Sequence, residues 1–238
     1  MAKAKPWMIV IAGPNGAGKS TFYDQVLKDD PFFKKAEFIN LDNEAKELAG
    51  EDGDVNDFMF EAGRNIRNRL REKMEKKQTF IYETTASGRT HLKLIEMAKE
   101  EGFNIASIFI GLSSAHLSYL RVQQRVRNGG HDVATDDIER RFPNIMKRFP
   151  DMLRLSDVSM AFDNSKKTPY ELIFMMDERK LLVFHTYPKW MNTALKGRKT
   201  RKDMVHITKE DFLSMNDKKR MDMTKRIFKS LEEVETTK

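Results

Sequence analysis

Eight residues near the start of the chain, Gly13-Pro14-Asn15-Gly16-Ala17-Gly18-Lys19-Ser20, have the types and spacing needed to hold a polyphosphate. Gly13, Gly16 and Gly18 allow backbone dihedrals closed to other residues and a close approach of main chain to ligand. Amides of the loop and of the helix that follows then converge on one anion. In a G-x-x-x-x-G-K-[ST] loop the lysine reaches the β- and γ-phosphates and the hydroxyl binds Mg²⁺. Lys19 and Ser20 hold those two places, and Gly13 through Thr21 form the expected nucleotide-binding set. The flanks agree. The β-branched run Trp7-Met8-Ile9-Val10-Ile11-Ala12 reads as a strand buried on both faces, and 21–28 reads as a helix. A loop between those two elements predicts a bound nucleoside triphosphate, ATP or GTP, with Mg²⁺.

Moving a phosphoryl group onto an alcohol needs two further things: a base for the hydroxyl, and positive charge over the transferring oxygens. Three strand-like runs end on an acid, Asp42, Glu83 and Asp163; ligands of open parallel sheets lie beyond such strand ends, so each could hold Mg²⁺ through water or act as the base. Asp42, after Asn40-Leu41, is the expected base; the plainer alternative is an N-cap for a helix over 43–50. Glu83 opens the polar loop Glu83-Thr84-Thr85-Ala86-Ser87-Gly88-Arg89-Thr90, which leads into a helix. Asp163, in Phe162-Asp163-Asn164-Ser165, is evenly balanced between a site carboxylate and a turn-forming Asx residue. The cationic patch is Arg121, Arg125 and Arg127, then Gly129-Gly130-His131-Asp132, then Arg140-Arg141. Two arginine-bearing helices joined by a Gly-Gly turn suit a mobile lid over about 113–150. His131 has no His or Cys at ligand spacing, so a metal role for it is not expected.

The elements that must position these groups alternate in type. Strands are expected at 37–41, 79–82, 105–112 and 158–162. Helices are expected at 55–77, 90–101 (ending at the C-cap Gly102), 115–128 and 136–155. Two runs, 170–176 and 181–185, flank Asp177-Glu178-Arg179-Lys180 as a hairpin. The fold class is therefore α/β: a P-loop NTPase-type, mostly parallel sheet with helices on both faces, an antiparallel edge hairpin and a C-terminal helical extension. A domain over 1–195 is expected, then a basic linker and helix over 196–238. In a chain of 238 residues, 39% hydrophobic, that leaves room for a substantial core. There are no cysteines, which excludes disulfides and thiolate metal sites and suits a cytoplasmic location. No apolar run is long enough to span a bilayer, and Met1–Pro6 carries no signal-peptide h-region. The net charge is +7, but 196–238 alone holds 13 Lys/Arg against 8 Asp/Glu. The excess is thus mostly a basic tail, and nucleic acid is not the expected partner.

Together these pieces resemble the zeta-toxin family of P-loop kinases, in its compact branch often labelled as predicted ABC-type ATPases or kinases. The matching pieces are the loop at 13–21, Asn40-Leu41-Asp42, Glu61-Ala62-Gly63-Arg64, Glu83-Thr84-Thr85 with Gly88-Arg89, and Arg127-Asn128-Gly129-Gly130-His131-Asp132. The resemblance covers roughly 7–165. It implies phosphorylation of the 3′-hydroxyl of a UDP-N-acetyl sugar, UDP-N-acetylglucosamine above all, from ATP or GTP with Mg²⁺. Asp42 would orient or deprotonate the sugar hydroxyl, while Glu83, Thr85 and Arg89 would hold the acceptor, with Arg64 nearby. Lys19 and Ser20 would hold phosphates and metal, and an arginine of the lid helix, Arg125 or Arg127, would stabilise the transferring group. His131 falls near the place of a second lid arginine. The implied partners are a small-molecule sugar nucleotide and, as in toxin–antitoxin pairs, an antitoxin protein.

Overall fold

All six residues of β1 (Trp7–Ala12) are buried, because the strand lies inside a sheet covered on both faces. Successive side chains alternate between the two faces. Met8, Val10 and Ala12 join one core with Ile66, Leu70, Ile95, Phe149 and Trp190. Trp7, Ile9 and Ile11 join the other with Phe22, Leu27, Phe33 and Ile108. The computed structural model describes residues 5–51, 53–167, 169–176, 180–183, 188–195 and 205–207. After β1 come α1 (Lys19–Phe22), β2 (Glu37–Ile39), α2 (Leu41–Ala49), α3 (Met59–Glu75), β3 (Phe80–Thr84), α4 (Thr90–Glu100) and β4 (Asn104–Gly111). They are followed by α5 (Ala115–Arg127), α6 (Thr135–Leu155), β5 (Val158–Asp163), β6 (Glu171–Met176), β7 (Lys180–Val183), α7 (Lys189–Leu195) and β8 (Val205–Ile207).

The sheet order is β2-β3-β1-β4-β5-β6-β7-β8. The first five strands in that order run parallel. β6 and β7 then form the expected antiparallel hairpin, and β8 adds parallel to β7. The expected P-loop architecture is thus present. The hairpin turn at 177–179, the linker at 196–202 and the helix expected over 209–234 lie outside the described residues. β8 is a strand where the sequence suggested only linker and helix.

Local chemistry accounts for where elements start and stop. Asp54 accepts from the Asn56 amide at 2.8 Å, so the expected helix over 55–77 opens as a 3₁₀ turn, Val55–Phe58, before α3. Ala62, Ile66, Leu70 and Met74 form its buried stripe. α4 ends in a Schellman motif: Gly102 has φ +82°, and the Phe103 amide donates to the Ala98 carbonyl at 2.9 Å. The helix after the phosphate loop is short. α1 gives way to a π-helical stretch over Tyr23–Leu27.

His91 of α4 is 2% exposed, and its Nε2 has no hydrogen-bond partner. Burial first, then the charge of Arg148 on α6, lowers its pKa from the usual 6.5 to about 4. The native state therefore keeps this imidazole neutral where the unfolded chain takes up a proton. Its contribution to stability is intact above pH 6.5 and is lost as pH falls from 6.5 towards 4. Urea unfolding at pH 7 and pH 5 should show the wild type losing about 2 kcal/mol more than His91→Gln over that interval.

Candidate active site

Parallel register decides which side chains meet beyond the strand ends. Ile11 of β1 stands opposite Glu83 of β3, and Ile39 of β2 stands opposite Tyr82. The phosphate loop, Asn40 and Glu83 therefore leave the sheet at nearly one level. Glu83, only 9% exposed, accepts on Oε2 from Ser20 Oγ at 2.7 Å and from Asn40 Nδ2 at 2.6 Å. Its Oε1 lies 3.7 Å from Lys19 Nζ, which also donates to the Pro14 carbonyl at 3.1 Å. Lys19 is itself buried. A buried carboxylate and a buried ammonium are tolerable here because each is paired and hydrogen-bonded.

Gly16 and Gly18 of the loop each sit where a side chain has no room. Gly16 has φ +69°, and a Cβ there would lie 2.9 Å from both Arg121 Cβ and the Ser118 carbonyl of α5. Gly18 has φ +86°, and a Cβ there would lie 2.8 Å from Tyr170 Oη. α5 is thus packed directly onto the phosphate loop.

Asp42 sits in the first turn of α2. The cap of that helix is Asn40, whose Oδ1 accepts from the Asn43 amide at 2.9 Å, so the alternative reading of Asp42 as an N-cap is corrected. The helix starts two residues earlier than expected, because Asn40 supplies the cap as soon as β2 ends. The Asp42 carboxylate, 46% exposed, faces Arg125 of α5, with Nη1 at 3.6 Å. Nε and Nη2 of Arg125 are buried atoms without a hydrogen-bond partner. Between these groups lies a cleft of about 880 Å³. Its floor is the phosphate loop with Glu83, and one wall holds Asn40–Asp42 and Tyr82–Thr85. The opposite wall comes from α5, the turn that follows it and α6, with Arg121, Gln124, Arg125, His131, Asp137 and Arg141.

Asn15, Gly16, Gly18, Lys19, Ser20, Thr21, Asp42, Glu83, Thr85, Arg125 and His131 are brought together in this cleft. Gly13, Pro14 and Ala17 are buried behind it. Arg64, Arg89 and Arg127 are exposed and stand outside the lining. At about 100° per residue, Arg127 is turned roughly 200° from Arg125, and Arg64 roughly 140° from the lining residue Met59. Arg89 follows a sharp bend at Ala86, φ +55°, and flanks the start of α4. Asp163 is a turn residue: its Oδ1 accepts from the Ser165 amide at 3.2 Å and from Trp190 Nε1 at 3.2 Å. Among the described residues there is no cluster of three or more His, Cys, Asp or Glu that could hold a metal.

Sequence reasoning missed Asn40 as the link between helix cap and carboxylate. It also missed Ser118, Asn164 and Tyr170, which bond to the loop from behind. Asn40 had a readable signal, an Asn directly after a strand and before a helix-forming run.

The sheet order and the loop at the end of its central strand define a P-loop kinase-like fold. Residues 8–149, more than half of the chain, match the family described as an AAA domain, and the chain belongs to that family. An uncharacterized protein of Haemophilus influenzae is 28% identical over 149 residues, which is 60% of this chain and 100% of that one. Among solved structures, the native AvrRxo1-ORF1:-ORF2 complex is similar with a TM-score of 0.64 and 12% identity, over 94% of this chain and 76% of that one. The same complex with ATP gives 0.59 and 14%, over 73% of this chain, which spans 59% of that chain's length. The PezAT chromosomal toxin–antitoxin system of Streptococcus pneumoniae gives 0.54 and 14%, over 98% and 90%. At these identities the structural likeness is one of fold. No helix among the described residues is long and apolar enough to cross a membrane.

Asn40→Ala removes both the cap of α2 and one of the two hydrogen bonds to Glu83 Oε2. It should lower stability to urea by about 1 kcal/mol. Asn40→Asp keeps a capping oxygen but sets a second carboxylate against Glu83, so by circular dichroism it should keep more of the α2 helicity than Asn40→Ala while still being less stable to urea than wild type at neutral pH.

Proposed function

We propose that the chain is a small-molecule kinase that moves the γ-phosphate of ATP or GTP onto a hydroxyl of a UDP-N-acetyl sugar. The observation that carries this reading is one cleft with two facing sets of groups. Lys19, Ser20 and Glu83 lie at the phosphate loop, and Asp42 lies opposite Arg125. The proposed kinase domain is 1–195. The ATP complex of a structure with this fold supports the choice of nucleotide.

In this reading the loop from Gly13 to Thr21 binds the polyphosphate, and the Lys19 ammonium turns from the Pro14 carbonyl to the β- and γ-oxygens. The Ser20 hydroxyl and the Glu83 carboxylate are hard oxygen donors that suit Mg²⁺ and would hold it. When bound, the ion neutralises charge on the phosphate oxygens. Asp42 accepts the proton of the sugar hydroxyl as that oxygen bonds to the γ-phosphorus. The bond from phosphorus to the bridging β-oxygen breaks, and the nucleoside diphosphate leaves with that electron pair. The unpaired Nε and Nη2 of Arg125 point to an anion as the partner they lack, and the transferring phosphoryl group is the proposed one. Thr85 and His131, which line the cleft, are the proposed contacts to the acceptor, with Arg121 and Arg141 as further cations on the lid wall. Arg64, Arg89 and Arg127 could join them only after movement of the segments that carry them. The toxin–antitoxin system among the structures of this fold motivates a protein partner, an antitoxin, for this chain as well.

Incubation with γ-labelled ATP and a panel of UDP-N-acetyl sugars, nucleosides and oligonucleotides tests the acceptor. Label is expected on a UDP-sugar; label on oligonucleotide ends alone would replace this reading with a polynucleotide kinase. Asp42→Asn should cut transfer by about 10²-fold or more while ATP affinity stays within roughly twofold. Unchanged turnover would remove Asp42 from the mechanism.

A further inference from the structure

A loop that turns its amides towards an anion must turn carbonyls away from it, and buried carbonyls need donors. Four carbonyls of the phosphate loop have them. Pro14 O accepts from the Ala17 amide at 3.2 Å and from Lys19 Nζ. The other three are reached by side chains from distant parts of the chain. Ser118 Oγ of α5 donates to Asn15 O at 2.6 Å. Asn164 Nδ2, just after β5, donates to Ala17 O at 2.9 Å. Tyr170 Oη, just before β6, donates to Gly18 O at 2.9 Å, as a second donor beside the Phe22 amide at 2.8 Å. Ser118, Asn164 and Tyr170, unlike Lys19, have no part in the kinase machinery described above.

The donors are themselves fixed. Ser118 is fully buried and Asn164 is 7% exposed. Asn164 Oδ1 accepts from the Tyr170 amide at 3.3 Å, so one amide side chain ties the loop to the tyrosine. Tyr170 has φ +53°, a left-handed conformation that a tyrosine rarely adopts and that persists only where surroundings enforce it. Its ring packs edge-on to Phe22 of α1, with centroids 5.0 Å apart. Burial raises the pKa of its phenol above 10, so the hydroxyl remains a donor at any physiological pH. A Cβ at Gly18 would press on both Tyr170 Oη, at 2.8 Å, and Asn164 Nδ2, at 3.0 Å.

We propose that Ser118, Asn164 and Tyr170 are positioning residues for nucleotide binding, a three-donor clamp that holds the carbonyls of the phosphate loop outward and so sets its amides for the phosphates. The proposal rests on the reading that the loop binds a nucleoside triphosphate. It assigns a task to the connection between β5 and β6, which supplies two of the three donors. The clamp acts on phosphate and not on base or acceptor.

The test compares the binding of two probes, ATP and inorganic tripolyphosphate, each with Mg²⁺, to the full chain. Tyr170→Phe deletes one hydroxyl and keeps the ring packing. It should weaken both probes by roughly 3- to 10-fold, with the ratio of the two affinities unchanged and the melting temperature within a few degrees of wild type. Asn164→Asp sets a carboxylate against the Ala17 carbonyl and should weaken both probes by more than tenfold. Wild-type affinity in both variants overturns the clamp. So does weakening of ATP alone, which would mean contact with the base, or a loss of affinity that appears only where the variant is partly unfolded. A wild-type chain that binds neither probe would instead overturn the nucleotide reading itself.

Discussion

Burying a carboxylate is costly unless its oxygens are paired, and the centre of this protein is organised around one such group. Glu83 lies at the end of β3, between the phosphate loop and the start of α2. Its partners are Ser20, Lys19 and Asn40. Each of these has a second duty. Lys19 and Ser20 close the loop, and Asn40 caps α2 through Asn43. A shift of β3 by one residue against β1 would send Glu83 to the other face of the sheet and leave all three without it. The register of three adjacent strands and the geometry of the site are therefore one constraint.

α5 is tied to the same centre. α5 rests on Gly16 through Ser118 and Arg121, and places Arg125 above Asp42 one turn further on. Loop and helix leave no space between them here, since a Cβ at Gly16 would already meet α5 backbone at 2.9 Å. On the far side, the antiparallel β6 is more than an edge. Its approach brings Tyr170 back to the loop, and Trp190 of α7 seals the end of β4 against Gly111 and holds Asp163. This explains why Asp163, which ends a strand as Asp42 and Glu83 nearly do, takes no place in the cleft. β5 is separated from β1 by β4, and its terminal carboxylate is already satisfied by Ser165 and Trp190.

What was legible in the sequence follows from range. β1, the loop and α3 announce themselves because their signals are local: a β-branched run, three glycines, and a stripe at Ala62, Ile66, Leu70 and Met74. Asp42 and Arg125 could be named as cleft residues because each sits beside a readable element end. Their pairing could not, since nothing local relates α2 to α5. For Glu83 the residues left a Mg²⁺ carboxylate or a base open and the resemblance implied an acceptor contact; its bonds to Ser20, Asn40 and Lys19 could not be read, because only the strand register brings them together. The donors to the loop carbonyls are 103, 147 and 152 residues away in sequence, and a lone Ser, Asn or Tyr carries no pattern. Arg127 and Arg64 illustrate the converse: the arginine patch marked the first and the family resemblance the second, but helical phase turns them from the cleft.

The ion pair between Asp42 and Arg125 bears on how the cleft could work. Its partners are 46% and 35% exposed and 3.6 Å apart, which is the regime where an ion pair is worth about 0–1 kcal/mol. Such a contact orients the arginine without locking the cleft. The stronger pull comes from the other side of the guanidinium, where Nε and Nη2 are shielded from water and lack an acceptor. An anionic group entering between the loop and α5 gains those two donors and has only a weak pair to displace. In the proposed reading, arrival of the γ-phosphate would draw Arg125 from Asp42 and free the carboxylate for the acceptor hydroxyl. Nucleotide binding would then prepare the base, which favours an order in which the triphosphate enters before the sugar.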